Sequence, residues 1–417
     1  MVRWIAAAAL CALTALNVTG EEDGKALERL EKLEKEVREL KEALKKKDEA
    51  PKEVAEGKDG RGAAGAVVDR VLSRTKVGGY FDLEFEDWRH ANSEFDNHHL
   101  IVQVSSWLHE RIFFNSEIEY EHGARVVKIE QAYLDFLIVD QINFRGGAIL
   151  VPMGRLNRLH DSDLRDLTLR PLTTTLITPT TWTEVGVGFF GSFYVGSFTI
   201  NWDAYVTNGL LGNLTTKEGL RPARAGLEKD NNSDKSTMAR IEVVALGGKV
   251  TVGAAGYRGR FDNDGKDTVL LYGADLTVAV PLGDGGGWIP GPLELRAEAA
   301  RFTADESRDA AGARSPHRGI GAFAQVSFHF FPPFLKDTFV GMGFEKPTFT
   351  LVALWDAVEI DAPDGPHDNH QRRLSFGFNF RPIEQVVFKV EYVDEDSDRM
   401  FGNFRRDGWA ASIAAAF

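Results

Sequence analysis

Cysteine is nearly absent: the 417-residue chain has one, Cys11. It lies in a stretch that reads as a leader, so neither disulfides nor a cysteine-based metal site can be invoked for the rest. Long apolar runs are missing too. After residue 20 no segment reaches the roughly 18 apolar residues of a membrane-crossing helix. Positive charge is in deficit, with 49 Lys and Arg against 62 Asp and Glu and a formal net charge of −13. There is no basic stripe to meet phosphates, which argues against nucleic acid as a partner. No serine sits in a nucleophile elbow and no histidine has triad or dyad spacing, so neither an enzyme nor a cofactor is expected.

Glycine (41) and phenylalanine (28) are plentiful. The pattern that uses them is alternation, clearest near the end of the chain. Leu374, Phe376, Phe378 and Phe380 alternate with Arg373, Ser375, Gly377, Asn379 and Arg381; Trp409, Ala411, Ile413, Ala415 and Phe417 do the same. A strand sends successive side chains to opposite faces, so each run has one oily and one wet face. A soluble sandwich would bury the oily face. A transmembrane barrel would turn it to lipid and keep the wet face around water. Sixteen such strands are expected, beginning near Val77, His98, Ile112, Val127, Ile142, Thr183, Tyr194, Met238, Lys249, Val269, Leu293, Ile320, Phe349, Arg372, Gln385 and Gly408.

Loop lengths sort by parity. Connections after even strands are mostly short, as at His109–Arg111, Val139–Gln141 and Gly191–Phe193. Those after odd strands are mostly long and polar, as in Pro152–Thr181 and Asn208–Ser236. Pro281–Pro292 and Phe331–Lys346 are the longer exceptions. Barrels of the outer membrane have short inner turns and longer outer loops, whereas a sandwich has no reason to sort them.

Ahead of the strands the text differs. Residues 1–20 are expected to be a secretory signal peptide, with Arg3, an apolar core from Ile5 to Leu16 and small residues before the cut. Residues 21–47 carry Ala26, Leu30, Leu33, Val37, Leu40 and Leu44 in the a/d rhythm of a coiled coil. Residues 48–76 read as a flexible, glycine-containing linker, and 77–417 as the barrel.

On these features the chain resembles a Gram-negative trimeric porin of the sixteen-stranded kind. It is most like those with an N-terminal periplasmic coiled coil, as some sugar porins have, and shares the general texture of the phosphate-selective group. The resemblance implies an all-β transmembrane barrel after a short coiled coil, with lipid, two further copies and small hydrophilic solutes or ions as partners. It implies that Phe417 is the terminal aromatic by which such barrels are recognised for insertion. It implies too that the third outer loop, 152–181, folds inward and narrows the pore.

The candidate constriction then holds Arg155, Arg158, Arg165 and Arg170 against Asp161, Asp163 and Asp166, with His160 between them. The basic excess leans towards anions; the competing reading is a salt-bridged lid. Leu164 and Leu167, with Asp161 or Ser162 as N-cap and Pro171 as a stop, suggest a short helix there. Alternation points Asp82, Glu84, Glu86, Glu117, Glu119, Arg145, Glu184, Arg240, Glu242, Arg296, Glu298, Arg373, Arg381 and Lys389 into the lumen, because a charge on the lipid face is costly. Acids dominate the early strands and bases the late ones.

No metal is expected. His98 and His99 are adjacent in a strand and so point opposite ways. Asp262, Asp264 and Asp267 lack the full calcium-loop pattern and read as a solvated turn. Other classes weighed are a tether that reaches the cell wall through the coiled coil, and a barrel enzyme of the outer membrane.

Overall fold

The computed structural model describes residues 73–227, 230–282, 291–308, 314–365, 367–397 and 406–417. The expected signal peptide, the coiled coil and nearly all of the linker lie outside these residues.

Sixteen antiparallel strands form one closed barrel. They are β1 (Thr75–Trp88), β2 (Glu94–His109), β3 (Ile112–Glu121), β4 (Val126–Val139), β5 (Ile142–Leu150), β6 (Thr183–Val195), β7 (Phe198–Thr207) and β8 (Ser236–Ala245). They continue as β9 (Val250–Arg260), β10 (Thr268–Pro281), β11 (Pro292–Ala304), β12 (Arg318–Phe330), β13 (Thr348–Ile360), β14 (Asn369–Ile383), β15 (Val386–Ser397) and β16 (Arg406–Ala416). Each strand pairs with its sequence neighbours, and β16 closes on β1 in a register running from Tyr80–Ala416 to Trp88–Gly408. Closure leaves no edge to template aggregation. Phe417 extends it, exchanging backbone hydrogen bonds with Gly79 at 2.9 and 3.1 Å.

The side-chain pattern is inside out relative to a soluble protein. On β14, Phe376 is 59% exposed while Ser375 and Asn379 are 1% exposed. The same inversion sets exposed Trp409 against buried Ser412 on β16, and exposed Val326 against buried Ser327 on β12. An apolar outer surface of this extent suits lipid, and a wall lined with hydroxyls, amides and charges suits water. Aromatic rings cluster where β12–β15 approach the short turns: Phe349 lies 5.4 Å from Phe378 and 5.1 Å from Phe380. At the other end Tyr392 meets Trp409 at 5.2 Å. Such rings mark the two interfacial girdles of a membrane barrel.

One expected turn is displaced. β6 runs through Gly191–Phe193 to Val195, and the chain reverses at Gly196, whose φ is 60°. Glycine enters that left-handed region without steric cost, which selects the site of the turn. The hairpin between β3 and β4 is short as well, with positive φ at His122, Gly123 and Ala124.

Candidate functional site

After Leu150 the chain turns into the barrel. The loop carries too many large apolar residues to stay in water. Val151, Met153, Leu172, Leu176, Ile177 and Trp182 are buried in one cluster with Met238, Tyr257, Leu271, Phe302, Val358 and Ile360 of the wall. The loop after β7 joins them, burying Leu210, Leu214, Leu220 and Ala223. That loop was expected to be polar; four of its leucines, Leu210, Leu211, Leu214 and Leu220, close together in its first half, were the signal that it folds inward.

Below this apolar layer the third loop is fastened to the wall almost residue by residue. Asp356 of β13 accepts from the amides of Leu172 and Thr173 and, at 2.9 Å, from the Thr173 hydroxyl. Glu391 of β15 takes the Leu169 amide at 2.7 Å, and Glu298 of β11 takes the Leu156 amide at 2.6 Å. In the other direction Lys389 donates to the Ser162 carbonyl at 2.7 Å, Arg381 to Asp163 at 2.6 Å and Arg373 to Arg170 at 2.8 Å. Asn379 donates to the Asp166 carbonyl at 2.7 Å, and the Asp166 carboxylate accepts from Ser327 at 2.8 Å and Gln325 at 3.2 Å. Wall charges are therefore used to hold backbone groups of the loop, and the buried amides of Leu172 and Thr173 would otherwise go unpaired.

The loop's own charges pair outward more than with one another. Arg155 meets Glu242 at 3.1 Å and Arg158 meets Asp203 at 3.2 Å. Arg165 turns back on its own loop, donating to the carbonyl of Thr168 and the hydroxyl of Ser162. His160 forms an ion pair with Glu130 of β4 and lies 3.4 Å from Asp161. Burial by itself would lower the His160 pKa, but the Glu130 charge outweighs it and holds the imidazole up at about 9. Asp161 is pushed up, first by its own burial.

The expected helix at Leu164–Leu167 does not form. Leu164 is 46% exposed and Leu167 is 3% exposed, so they share no face. Arg165 binds the carbonyls of Leu167 and Thr168, and Glu391 binds the amide of Leu169, which takes those groups away from helical pairing. The helical turn lies at Thr173–Ile177 instead, with Pro171 at its start and its carbonyl accepting from Thr174 and Thr175.

Most of the charges placed inside by alternation are there, and they are paired. Arg240 binds Asp275 at 2.5 and 2.8 Å, Arg373 binds Glu395 at 2.6 Å, and Arg296 binds Glu294. Arg145 meets Asp135 at 2.6 Å with its guanidinium 4.0 Å from the Tyr133 ring. Glu117 accepts from Gln131, and Glu184 from Trp182 and Gly209. Acid and base thus alternate along the late wall, and the expected division of sign between walls is blunted there by Asp356, Glu391 and Glu395.

His98 and His99 correct a second expectation. Opposite Leu83, β2 carries two residues, Asn97 and His98, where one would fit, since the register steps from Asp82–His99 to Glu84–Asp96. A bulge of this kind turns two successive side chains to one face. Both imidazoles point inward, 3.9 Å apart, with His98 on Glu84 at 3.1 Å and His99 on Glu119 at 2.9 Å. A similar step puts Glu130 of β4 out of register between Ile129 and Gln131 and aims it at His160. Period-two reading does not see such residues. The Asp262 turn is as expected: its carboxylate caps the amides of Asp264, Lys266 and Asp267.

Between the loop and β10–β12 there remains a cleft lined by Arg155, Arg165, Asp166, Asp275, Arg296 and Glu298 among others.

No protein-family model matches the chain. An uncharacterized protein of Aquifex aeolicus is 27% identical over 366 residues, which cover 81% of this chain and 79% of that protein. OmpF of Salmonella typhi, solved with daunomycin, superposes with a TM-score of 0.56 at 9% identity, covering 82% of this chain and 97% of that one. The anion-selective porin of Comamonas acidovorans does so with a TM-score of 0.53 at 9% identity, covering 82% and 99%. At these identities the likeness is one of fold. The chain has the fold of the outer-membrane porins.

Proposed function

We propose that the protein is an outer-membrane porin, a passive, non-enzymatic channel for small hydrophilic solutes, narrowed by the 152–181 loop. The observation that carries this reading is the inverted barrel: an apolar outside, a polar inside, and a loop fastened across the lumen that leaves a charged cleft against β10–β12. Passage runs beside the loop, past Arg155, Arg165 and Arg296 on one count and Asp166, Asp275, Glu294 and Glu298 on the other. A mixed ring in a low-dielectric wall sets a transverse field that favours polar solutes. The loop's own basic excess leans towards anions, and the wall carboxylates keep that lean weak.

The further parts of the reading concern assembly and place. Residues 126–129 and 131 of β4 pair with β3 but not with the shorter β5, leaving a stretch of wall flanked by exposed Val126, Val127 and Ile129. A neighbouring copy in a homotrimer would cover it. We propose further that residues 1–20 are an export signal and that 21–47 form a periplasmic coiled coil that contacts the cell wall; both segments lie outside the described residues.

The test is single-channel recording in a planar bilayer. Ohmic steps arriving in triplets are expected, and deletion of Leu156–Leu169 should enlarge the step and flatten the reversal potential under a salt gradient. Silent insertion would sink the proposal and leave the barrel as a tether's anchor or an enzyme. An unchanged step in the deletion would remove the loop from the pore.

A further inference from the structure

The outer ends of β1–β3 gather nitrogen and oxygen donors that the channel reading does not use. The β2 bulge brings His98 inward, Asp96 precedes it on the same face, and the β3–β4 turn hangs His122 over both. His122 Nδ1 lies 2.6 Å and His98 Nδ1 3.4 Å from Asp96 Oδ2. On its other side His98 Nδ1 is 3.1 Å from Glu84 Oε2. One donor atom from each of Asp96, His98 and His122 falls within 4.8 Å of the other two.

We infer that Asp96, His98 and His122, with Glu84 behind them, form a binding site for a borderline divalent metal ion such as Zn²⁺ at the outer mouth of the barrel. Tetrahedral Zn²⁺ with bonds of about 2.0–2.2 Å holds its donors roughly 3.3 Å apart. The His98–Asp96 and His98–Glu84 gaps are already close to that, and the His122–Asp96 gap opens when the ion displaces the proton those two share. Two imidazoles with carboxylates select such an ion over calcium or magnesium, which take oxygen donors. The neighbouring group makes a useful contrast. His99, Glu119 and Glu121 also converge, but there Lys128 already stands between the carboxylates, 2.8 Å from Glu119 and 2.7 Å from Glu121. The ion pairs described for Asp96 are to the two histidines alone, and it and His122 are 33% and 47% exposed, so an ion can reach them.

The test is Zn²⁺ titration of the refolded full barrel in detergent by calorimetry, with Cu²⁺ in place of Zn²⁺ for electron paramagnetic resonance. One saturable Zn²⁺ per barrel is expected, weakened at least about tenfold by Asp96→Asn or His122→Asn, the scale on which even a supporting residue acts. Asparagine tolerates the positive φ of 51° at position 122, so that variant keeps the turn. Cu²⁺ should show nitrogen couplings from two imidazoles in the native barrel and from one in His122→Asn. His317→Ala, in another loop, should change nothing. Absence of saturable uptake, or equal uptake by native and His122→Asn barrels, overturns the inference. Binding needs no open channel, so this failure would leave the porin reading standing.

Discussion

The wall of β13–β16 and the wall of β1–β4 belong to one barrel and follow different rules. From β13 to β16 the registers run without a step except near the turn after Phe380, and every second residue does what its parity says. From β1 to β4 the register steps at Asp82–Glu84, at Trp107–His109 and at Glu117–Ile118. The regular wall serves as a rack whose side chains hold the loop. The bulged wall spends its irregularities on aiming single groups: Glu130 at His160, and His98 at Asp96 and Glu84. A bulge is the cheapest way for a strand to re-aim a side chain without breaking its neighbours' pairing.

Three experiments press on this contrast. The largest effect is expected on the regular wall, where Asp356→Ala strands the buried amides of Leu172 and Thr173. At about 1–3 kcal/mol for each orphaned donor, the loss is about 2–6 kcal/mol, read by equilibrium urea unfolding in lipid vesicles. A loss under about 1 kcal/mol would mean the loop does not depend on its rack. Next, Phe376→Arg on β14 and Leu100→Arg on β2 both put a cation on the outer face. Each should cost up to about 2–4 kcal/mol, falling towards the membrane surfaces. If Leu100→Arg alone were neutral, the outward face assigned beyond the β2 bulge would be wrong.

The smallest effect concerns pH. His160 has its pKa raised from 6.5 to about 9. The stabilisation from its charged pair with Glu130 is therefore full below 6.5 and is lost as pH rises through about 9. Channel noise or step size should increase between pH 7 and 10 in the native barrel. His160→Gln should show the high-pH behaviour throughout; a native barrel indifferent to pH over that range would remove His160 as an anchor.

Sequence reading reached the strands of the regular wall because lipid and water enforce a strict period of two, and a charge on the wrong face costs too much to be left there. It reached the parity of the loops for the same reason. It reached the site only as a set of residues. That Arg155 would find Glu242, or Lys389 the carbonyl of Ser162, depends on groups brought together from distant positions by barrel closure. Nothing local marks Asp356, Glu391, Asn379 or Ser327 as a side chain that will cap a loop on the far side. The inward fold of the loop after β7 was missed, because the loop was read as polar although its leucines carried the signal.

What the sequence by itself determined, then, is the sixteen-stranded barrel, its oily outside and its polar inside, because those follow from alternation within each strand. What only the tertiary structure decided is which residues the bulges turn inward and which wall groups meet the loop. A bulge is one extra residue between two registers, and an ion pair across a lumen joins residues from separate strands. Both come into being when the chain closes on itself.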